Sequence, residues 1–231
     1  KIIQGYVHAI APKGLIGSKI HFSKISVGAT ENLIIASTLA KGTTILKNCA
    51  IEPEIKDLIN FLKKLEVKIK IDGRKISIEN NIKEKRISHK VICDRIELGT
   101  YLIGGALIAK NLKLKNADPN LIKKEINILK KMGVRIDIKK NYLEVYKSKN
   151  IKKININTNP YPGFPTDLQA QLMALMSVVN GNSQIKETVF ENRFMHVPEL
   201  NRLGADIKLN KDKAFIKGGK KFKAAQVMAS D

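Results

Sequence analysis

Gly99-Thr100-Tyr101-Leu102-Ile103-Gly104-Gly105-Ala106, then Lys110-Asn111-Leu112-Lys113-Leu114, then Met132-Gly133-Val134-Arg135-Ile136: this series from the middle of the chain occurs three times in altered spelling. Upstream it reads Ala29-Thr30-Glu31-Asn32-Leu33-Ile34-Ile35-Ala36, Lys41-Gly42-Thr43-Thr44-Ile45 and Leu65-Glu66-Val67-Lys68-Ile69. Downstream it reads Leu168-Gln169-Ala170-Gln171-Leu172-Met173-Ala174-Leu175, Asn180-Gly181-Asn182-Ser183-Gln184-Ile185 and Leu203-Gly204-Ala205-Asp206-Ile207. Leu65, Met132 and Leu203 occupy one register position and recur at a period of roughly 70 residues, too long for a common solenoid repeat.

Each copy opens with an apolar helix rich in small residues. A Lys-Gly or Asn-Gly turn then leads into a short strand. A second helix follows, with Ile55, Leu58, Ile59, Leu62 and Leu65 on one face in the first copy and Ile122, Ile126, Leu129 and Met132 in the second. Those spacings of three and four are amphipathic helix. Two strands close the copy as a hairpin, clearest at Ile71-Asp72-Gly73-Arg74, where Asp-Gly suits a primed turn. With two helices and three or four strands, the copy is a supersecondary module that assembles with others into a compact α/β domain. The expected organisation is residues 1–93 for the first copy with its preceding strands and 94–231 for the other two. The polar stretch Asn80–Lys90 reads as a surface connection, and Tyr6-Val7-His8-Ala9-Ile10 as a strand near the start.

The 231 residues are 43% hydrophobic, enough for one large or two modest domains. Net charge is +21, but the lysines are spread along the whole chain. Aromatics are only 5% and there is no Trp, so no base-stacking platform is evident and no nucleic-acid partner is expected. The excess reads as compositional drift towards Lys, Ile and Asn, and its positive field favours small polyanionic ligands. No apolar run approaches membrane-spanning length, and no membrane partner is expected. Cys49 and Cys93 lack metal-ligand or redox spacing, which suits a reducing, cytoplasmic setting. The chain opens without Met and starts and stops in mid-pattern, so the expectation is a piece of a longer protein.

Nucleotide-fold and metalloprotease signatures are absent, and Gly218-Gly219-Lys220 continues with Lys221 rather than Ser or Thr. No metal or cofactor is expected. Four segments carry more chemistry than packing requires. Lys24-Ile25-Ser26-Val27-Gly28-Ala29-Thr30-Glu31-Asn32 runs into an apolar helix, at whose start exposed backbone N–H groups favour an anion; taken alone, an ordinary N-cap by Ser26 or Thr30 is the better explanation. Phe164-Pro165-Thr166-Asp167-Leu168-Gln169-Ala170-Gln171 puts an acid at a helix start and two amides inside an apolar helix, where each needs a partner. Glu187-Thr188-Val189-Phe190-Glu191-Asn192-Arg193-Phe194-Met195-His196-Val197-Pro198-Glu199-Leu200 replaces the short, plain loops at Asn48-Cys49-Ala50 and Asn116-Ala117-Asp118 with a crowd of polar groups. The fourth is Ala225-Gln226-Val227-Met228-Ala229-Ser230-Asp231.

These stretches, with Glu52-Pro53-Glu54-Ile55 and Asp94-Arg95-Ile96-Glu97, closely resemble the bacterial UDP-N-acetylglucosamine enolpyruvyl transferases, in order and spacing along essentially the whole chain. The sister family of enolpyruvyl-shikimate-phosphate synthases shares the fold but not the Thr188–His196 stretch. The resemblance implies an inside-out α/β barrel fold of two domains, each built from three repeat units with helices inside and sheets outside, and substrates in the cleft between them. Residues 1–93 would end the first domain and 94–231 supply most of the second.

The implied reaction moves the enolpyruvyl group of phosphoenolpyruvate to the 3'-hydroxyl of UDP-N-acetylglucosamine and releases phosphate, the committed step towards peptidoglycan. By the same resemblance Asp167 takes the proton of that hydroxyl, and Lys24, Ile25, Ser26 and Val27 hold the uridine diphosphate. Val189 and Phe190 touch the sugar and its acetamide, and Arg193 orders the site or binds an anion. Glu52, Asp94 and Asp231 would be further acidic groups of the active site. The family's mobile loop with a reactive Cys or Asp, and a Lys-Asn pair meeting phosphoenolpyruvate, would precede Lys1; its phosphoenolpyruvate-binding arginines would follow Asp231. Neither Cys49 nor Cys93 takes the loop position, and this chain alone is expected to lack part of the site. The alternatives are a transferase of the shikimate type and a catalytically inactive, basic, repeat-built binding module.

Overall fold

In the computed structural model, which describes residues 1–140 and 142–229, the chain divides into two units, Lys1–Ile92 and Cys93–Asp231. Each has its own cluster of buried apolar residues. The first unit opens with a small hairpin, β1 (Ile2–Ile3) and β2 (Tyr6–Val7), turned by Gln4 and Gly5 at φ of 48° and 81°. The strand expected over Tyr6–Ile10 stops at Val7, because the ladder ends at the pair Ile2↔Val7 and no further strand extends it.

The repeat then appears in full: β3 (Lys19–His21), α1 (Val27–Ser37), β4 (Thr43–Lys47), α2 (Pro53–Lys64), β5 (Lys68–Asp72) and β6 (Lys75–Glu79). The sheet order is β3-β4-β6-β5, with β3 parallel to β4 and the remaining pairs antiparallel. The hairpin lies where the sequence puts it, but the pair Asp72↔Lys75 makes Gly73-Arg74 the loop rather than Asp72-Gly73. Gly73, at φ 54°, supplies the left-handed position at the loop's first residue. Pro53 in the first turn, Glu54 beside it, and Lys63 and Lys64 in the last turn favour α2 at both ends.

The polar stretch after β6 has no regular structure but is bound to the unit. Lys83 and Lys85 reach Glu66 at 2.7 and 2.9 Å, the Lys64 ammonium donates to the Ser88 carbonyl, and His89 meets Asp57 at 3.0 Å.

The second unit contains two more copies. The first of them is α3 (Arg95–Ile108), β7 (Asn111–Lys115), a 3-10 turn (Pro119–Ile122), α4 (Lys123–Lys131), β8 (Arg135–Lys139) and β9 (Tyr142–Tyr146). It lacks the leading strand, so its sheet is β7-β9-β8. The last is β10 (Asn155–Asn157), a 3-10 turn (Thr166–Leu168), α5 (Gln169–Val178), β11 (Asn182–Lys186), α6 (Val197–Arg202), β12 (Ile207–Asn210) and β13 (Lys213–Lys217). Its order, β10-β11-β13-β12 with a parallel first pair, reproduces the sheet of the first unit.

Strand alternation decides which way each sheet faces. Thr44 and Leu46 of β4, Ile76 and Ile78 of β6, and Leu143 and Val145 of β9 point inward, and their neighbours face outward. The helices fill the inside. None of the residues of α5 is exposed, and α3 packs against it. Two glycines let α3 lie close to its other neighbours: a Cβ at Gly105 would meet the Val145 side chain of β9 at 2.5 Å, and one at Gly99 would meet Leu168, on the turn before α5, at 2.4 Å.

The start of α3 is fixed by Asp94, whose Oδ1 accepts from the backbone N–H groups of Ile96 and Glu97 at 2.7 and 3.1 Å. Removing such a cap costs about 1 kcal/mol, while another capping residue conserves most of it. We therefore expect Asp94→Ala to lower stability by about that amount in chemical denaturation and Asp94→Ser to stay within a few tenths of a kcal/mol. Equal losses in both variants would assign Asp94 a role other than capping.

Candidate active site

The residues singled out by sequence fall into two groups, one in each unit. In the first unit they surround the start of α1. Ser26 is its N-cap: the Ser26 hydroxyl accepts from Ala29 N–H at 3.2 Å, and the Ser26 carbonyl receives Thr30 N–H. Thr30 is itself buried, donating through its hydroxyl to the Ser26 carbonyl and accepting from Ala50 N–H at 3.0 Å. That leaves the N–H groups of Val27 and Gly28 among the donors that a helix cannot satisfy internally. The space a Cβ would fill at Gly28 is open, and Lys24 is exposed just ahead of the turn. Ile25 and Val27 are half-buried and join the fringe of the unit's core. The Ser26 cap thus leaves room for a ligand beside the helix start.

Facing α1 lies an acidic group that the sequence reading reached only in part. Glu52 is 4% exposed at the N-cap position of α2, and its side chain makes no capping hydrogen bond. Glu31, on α1, has its carboxyl raised above the ordinary value of 4.5 by burial first, then by the charges of Glu54 and Glu52. Glu31 lies within the stretch Lys24–Asn32, but its meeting with Glu52, 21 positions away, and with Glu54 arises only through helix packing. Cys49 is fully buried, which pushes its thiol up and away from the thiolate a nucleophile needs.

In the second unit the fold brings together four predicted residues. Asp167 sits on the 3-10 turn before α5. Its carboxylate does not cap a helix; Oδ1 receives the Arg193 guanidinium at 3.0 Å, with side-chain exposures of 49% and 27%. Phe190 is 58% exposed, and the same guanidinium lies 6.0 Å from its ring centroid. Val189 precedes it, half-buried.

Beneath this surface is Glu187, the first residue of the crowded loop, to which the sequence assigns no role of its own. It is 4% exposed, and four donors converge on its carboxylate. Oε2 accepts from the Thr166 hydroxyl at 2.9 Å and from Gln169 Nε2 at 2.5 Å. Oε1 accepts from the backbone N–H groups of Val189 and Phe190 at 2.8 and 3.1 Å. The other conspicuous amide, Gln171, donates to the Thr100 hydroxyl at 2.9 Å.

Asp94 serves as the cap of α3. The segment from Ala225 lies beside α6, with Met228 N–H donating to Glu199 Oε2 at 3.1 Å; Asp231 lies outside the described residues. Among the described residues, no three His, Cys, Asp or Glu side chains converge as a metal-binding set, and no helix is long and apolar enough to cross a membrane.

The chain belongs to the EPSP synthase (3-phosphoshikimate 1-carboxyvinyltransferase) family, which it matches over residues 4–231. In fold it is similar to the enolpyruvyl transferase NikO from Streptomyces tendae, with a TM-score of 0.75 and 23% identity, over 84% of this chain and 46% of that one. It is also similar to an EPSP synthase from Acinetobacter baumannii, with a TM-score of 0.68 and 19% identity, over 90% and 50%. Its helices-inside, sheets-outside construction is the one this resemblance implies, although each sheet described here is open.

Among sequences, it is 60% identical to a UDP-N-acetylglucosamine 1-carboxyvinyltransferase of Pelagibacter ubique, over all of this chain and 56% of that protein. It is 50% identical to one of Endomicrobium trichonymphae, over 98% and 54%, and 47% identical to one of Bartonella tribocorum, over 100% and 54%. The chain spans about half the length of these curated relatives.

The acidic group of the first unit makes a prediction of definite sign. Because the folded state raises Glu31's proton affinity, its ionised form costs stability above the folded pKa. That cost disappears as pH falls below the ordinary value of 4.5. Glu31→Gln should therefore raise the thermal midpoint at pH 7, and the advantage should vanish by about pH 4. An advantage independent of pH would mean that the carboxylate's charge is not its cause.

Proposed function

We propose that the polypeptide containing this chain transfers the enolpyruvyl group of phosphoenolpyruvate to the 3'-hydroxyl of UDP-N-acetylglucosamine, releasing phosphate and committing the sugar nucleotide to peptidoglycan synthesis in the cytoplasm. The observation that carries this reading is the 60% identity to a UDP-N-acetylglucosamine 1-carboxyvinyltransferase along the whole of this chain. The geometry around Asp167 is compatible with it.

A sugar hydroxyl is a weak nucleophile and needs a base within hydrogen-bond reach. Asp167 takes that role: half-exposed and fixed at Oδ1 by Arg193, it offers its other oxygen to the hydroxyl. The sugar oxygen bonds to the substituted carbon of the enolpyruvyl group, the phosphate departs with its bridging oxygen, and the hydroxyl proton passes to the carboxylate. Arg193 orients the base. Val189 and the exposed Phe190 ring contact the sugar and its acetamide. Lys24, with Ile25, Ser26 and Val27 at the start of α1, holds the diphosphate by charge and by backbone N–H groups. Glu52 and Asp94 contribute acidic groups, and Asp231 is the acid beside phosphoenolpyruvate.

The complete polypeptide should release phosphate from phosphoenolpyruvate when UDP-N-acetylglucosamine is supplied, and shikimate 3-phosphate should not replace it. Equal activity with the shikimate compound would move the assignment to the sister enzymes. Asp167→Asn tests the base directly. Asn keeps the shape and a hydrogen bond to the hydroxyl but cannot take the proton, so turnover should fall at least about 100-fold with a modest change in apparent affinity. A variant keeping more than about a tenth of the turnover removes Asp167 from the role of essential base.

A further inference from the structure

Three copies of one module allow a comparison within the chain. The residue after the first inner strand is Asn48 in the first copy and Asn116 in the second, at φ of 60° and 55°. In each, a short polar residue in the left-handed conformation ends the strand, as Asn does readily. In the third copy the residue after β11 is Glu187, and it is buried. A buried carboxylate is a costly way to end a strand, because its charge leaves water and has to be met by hydrogen-bond donors. The fold has an inexpensive solution and uses it twice. The expensive one occurs only where Asp167, Val189, Phe190 and Arg193 meet.

The donors reaching Glu187 come from both sides of that site. Thr166 and Gln169 flank Asp167 on the turn leading into α5, and Val189 and Phe190 are the loop residues that follow β11. Glu187 therefore ties the segment bearing the base to the segment bearing the sugar contacts, from below, while the Arg193–Asp167 pair ties them at the surface. Each oxygen serves one side: Oε2 the turn, Oε1 the loop.

We propose that Glu187 is a positioning residue of the transferase, fixing the separation between Asp167 and the Val189–Phe190 surface before substrate arrives. This rests on the function proposed above. Preorganisation of this kind affects binding and chemistry together, because a base displaced by about 1 Å loses on the order of 100-fold in rate. It also depends on hydrogen-bond geometry more than on net charge. The Gln169 amide oxygen is buried without a hydrogen-bond partner. In a Glu187→Gln variant, the new carboxamide oxygen can still accept from Val189 and Phe190, and its NH2 group can donate to that orphan oxygen once the Gln169 amide turns over.

The test uses the complete polypeptide, with kcat and KM for UDP-N-acetylglucosamine, thermal midpoint, and amide hydrogen exchange at Val189 and Phe190. Glu187→Ala should lower kcat and raise KM by at least about 10-fold each, whereas Asp167→Asn lowers kcat with little change in KM. Glu187→Gln should recover most of that loss, to within about 5-fold of the wild type. The two amides should be protected in the wild type and exchange faster in Glu187→Ala. A folded Glu187→Ala protein with wild-type kinetics overturns the proposal. So does a Glu187→Gln variant as impaired as Glu187→Ala, because charge rather than the hydrogen-bond frame would then be responsible. If Glu187→Ala does not fold, Gln169→Met, which removes one donor at similar volume, takes its place: a joint change in kcat and KM supports the proposal, and unchanged kinetics overturns it. If the wild type releases no phosphate with UDP-N-acetylglucosamine, the functional reading has failed. Exchange then still decides whether Glu187 frames the two segments: wild-type amides without protection overturn that frame, and protection lost only in Glu187→Ala supports it.

Discussion

A helix apolar on every side has to be surrounded, and that constraint organises the second unit. No residue of α5 faces solvent, and α3 exposes few of its side chains, chiefly Tyr101 and Ile108. Helices of this kind cannot lie on a surface. They pack against each other, and the sheets are left to cover them with one face in and one face out. The amphipathic α4 packs against this core with its buried stripe, as α2 does against the core of the first unit. The close approach has its own requirement: Gly99 leaves room for Leu168, the residue after Asp167. Packing in the core thus reaches the candidate site directly, since the turn bearing Asp167 is seated on α3.

Repetition gives the module its economy, and departure from repetition gives it chemistry. The first and third copies share a sheet order and a parallel first pair, and the second copy keeps three of the four strands. Where the copies agree, residue choice follows backbone need, as at Asn48 and Asn116. Where the third copy departs, polar groups pair with one another: Thr166, Gln169 and Glu187 in the interior, Asp167 and Arg193 at the surface. Both oxygens of the Glu187 carboxylate are met by donors, each of which holds the next group in place, and the cost of leaving one of these bonds unmade is large. Rigidity is what a site that fixes a base against a sugar hydroxyl requires.

The module was legible in sequence because helix and strand periods are local properties. Ile55, Ile59 and Leu62, and Ile122, Ile126, Leu129 and Met132, are buried as their spacing demands. The errors occurred where a pattern of suitable residues lacked a partner. Tyr6–Ile10 has the residues of a strand, but the ladder is only two pairs long. Asp72-Gly73 has the residues of a turn, but pairing to Lys75 shifts the loop by one. The site divides in the same way. The loop from Glu187 to Leu200 stood out by its crowding, and Gln169 by being an amide in an apolar helix. Which acid the amide would meet was invisible, because Gln169 and Glu187 approach only after a strand and a helix have folded back. Glu31 was hidden for the same reason, its neighbours Glu52 and Glu54 being supplied by another helix.

The two groups of candidate residues are built on different physical terms, and the difference fits their proposed tasks. At Asp167 the anionic groups are matched by donors, so the turn is held in one arrangement whether or not a ligand is present. At the start of α1 the cap binds the Ala29 N–H group, and Lys24 is exposed just ahead of it, while nearby the charges of Glu54 and Glu52 add to burial in raising the carboxyl of Glu31. Such a region gains from a ligand that brings negative charge to the helix end and hydrogen-bond donors to the carboxylates. A sugar nucleotide offers both, in its diphosphate and its hydroxyls. Strain left in the protein at one place and removed at another is what allows binding energy to be realised at the first while geometry is kept fixed at the second.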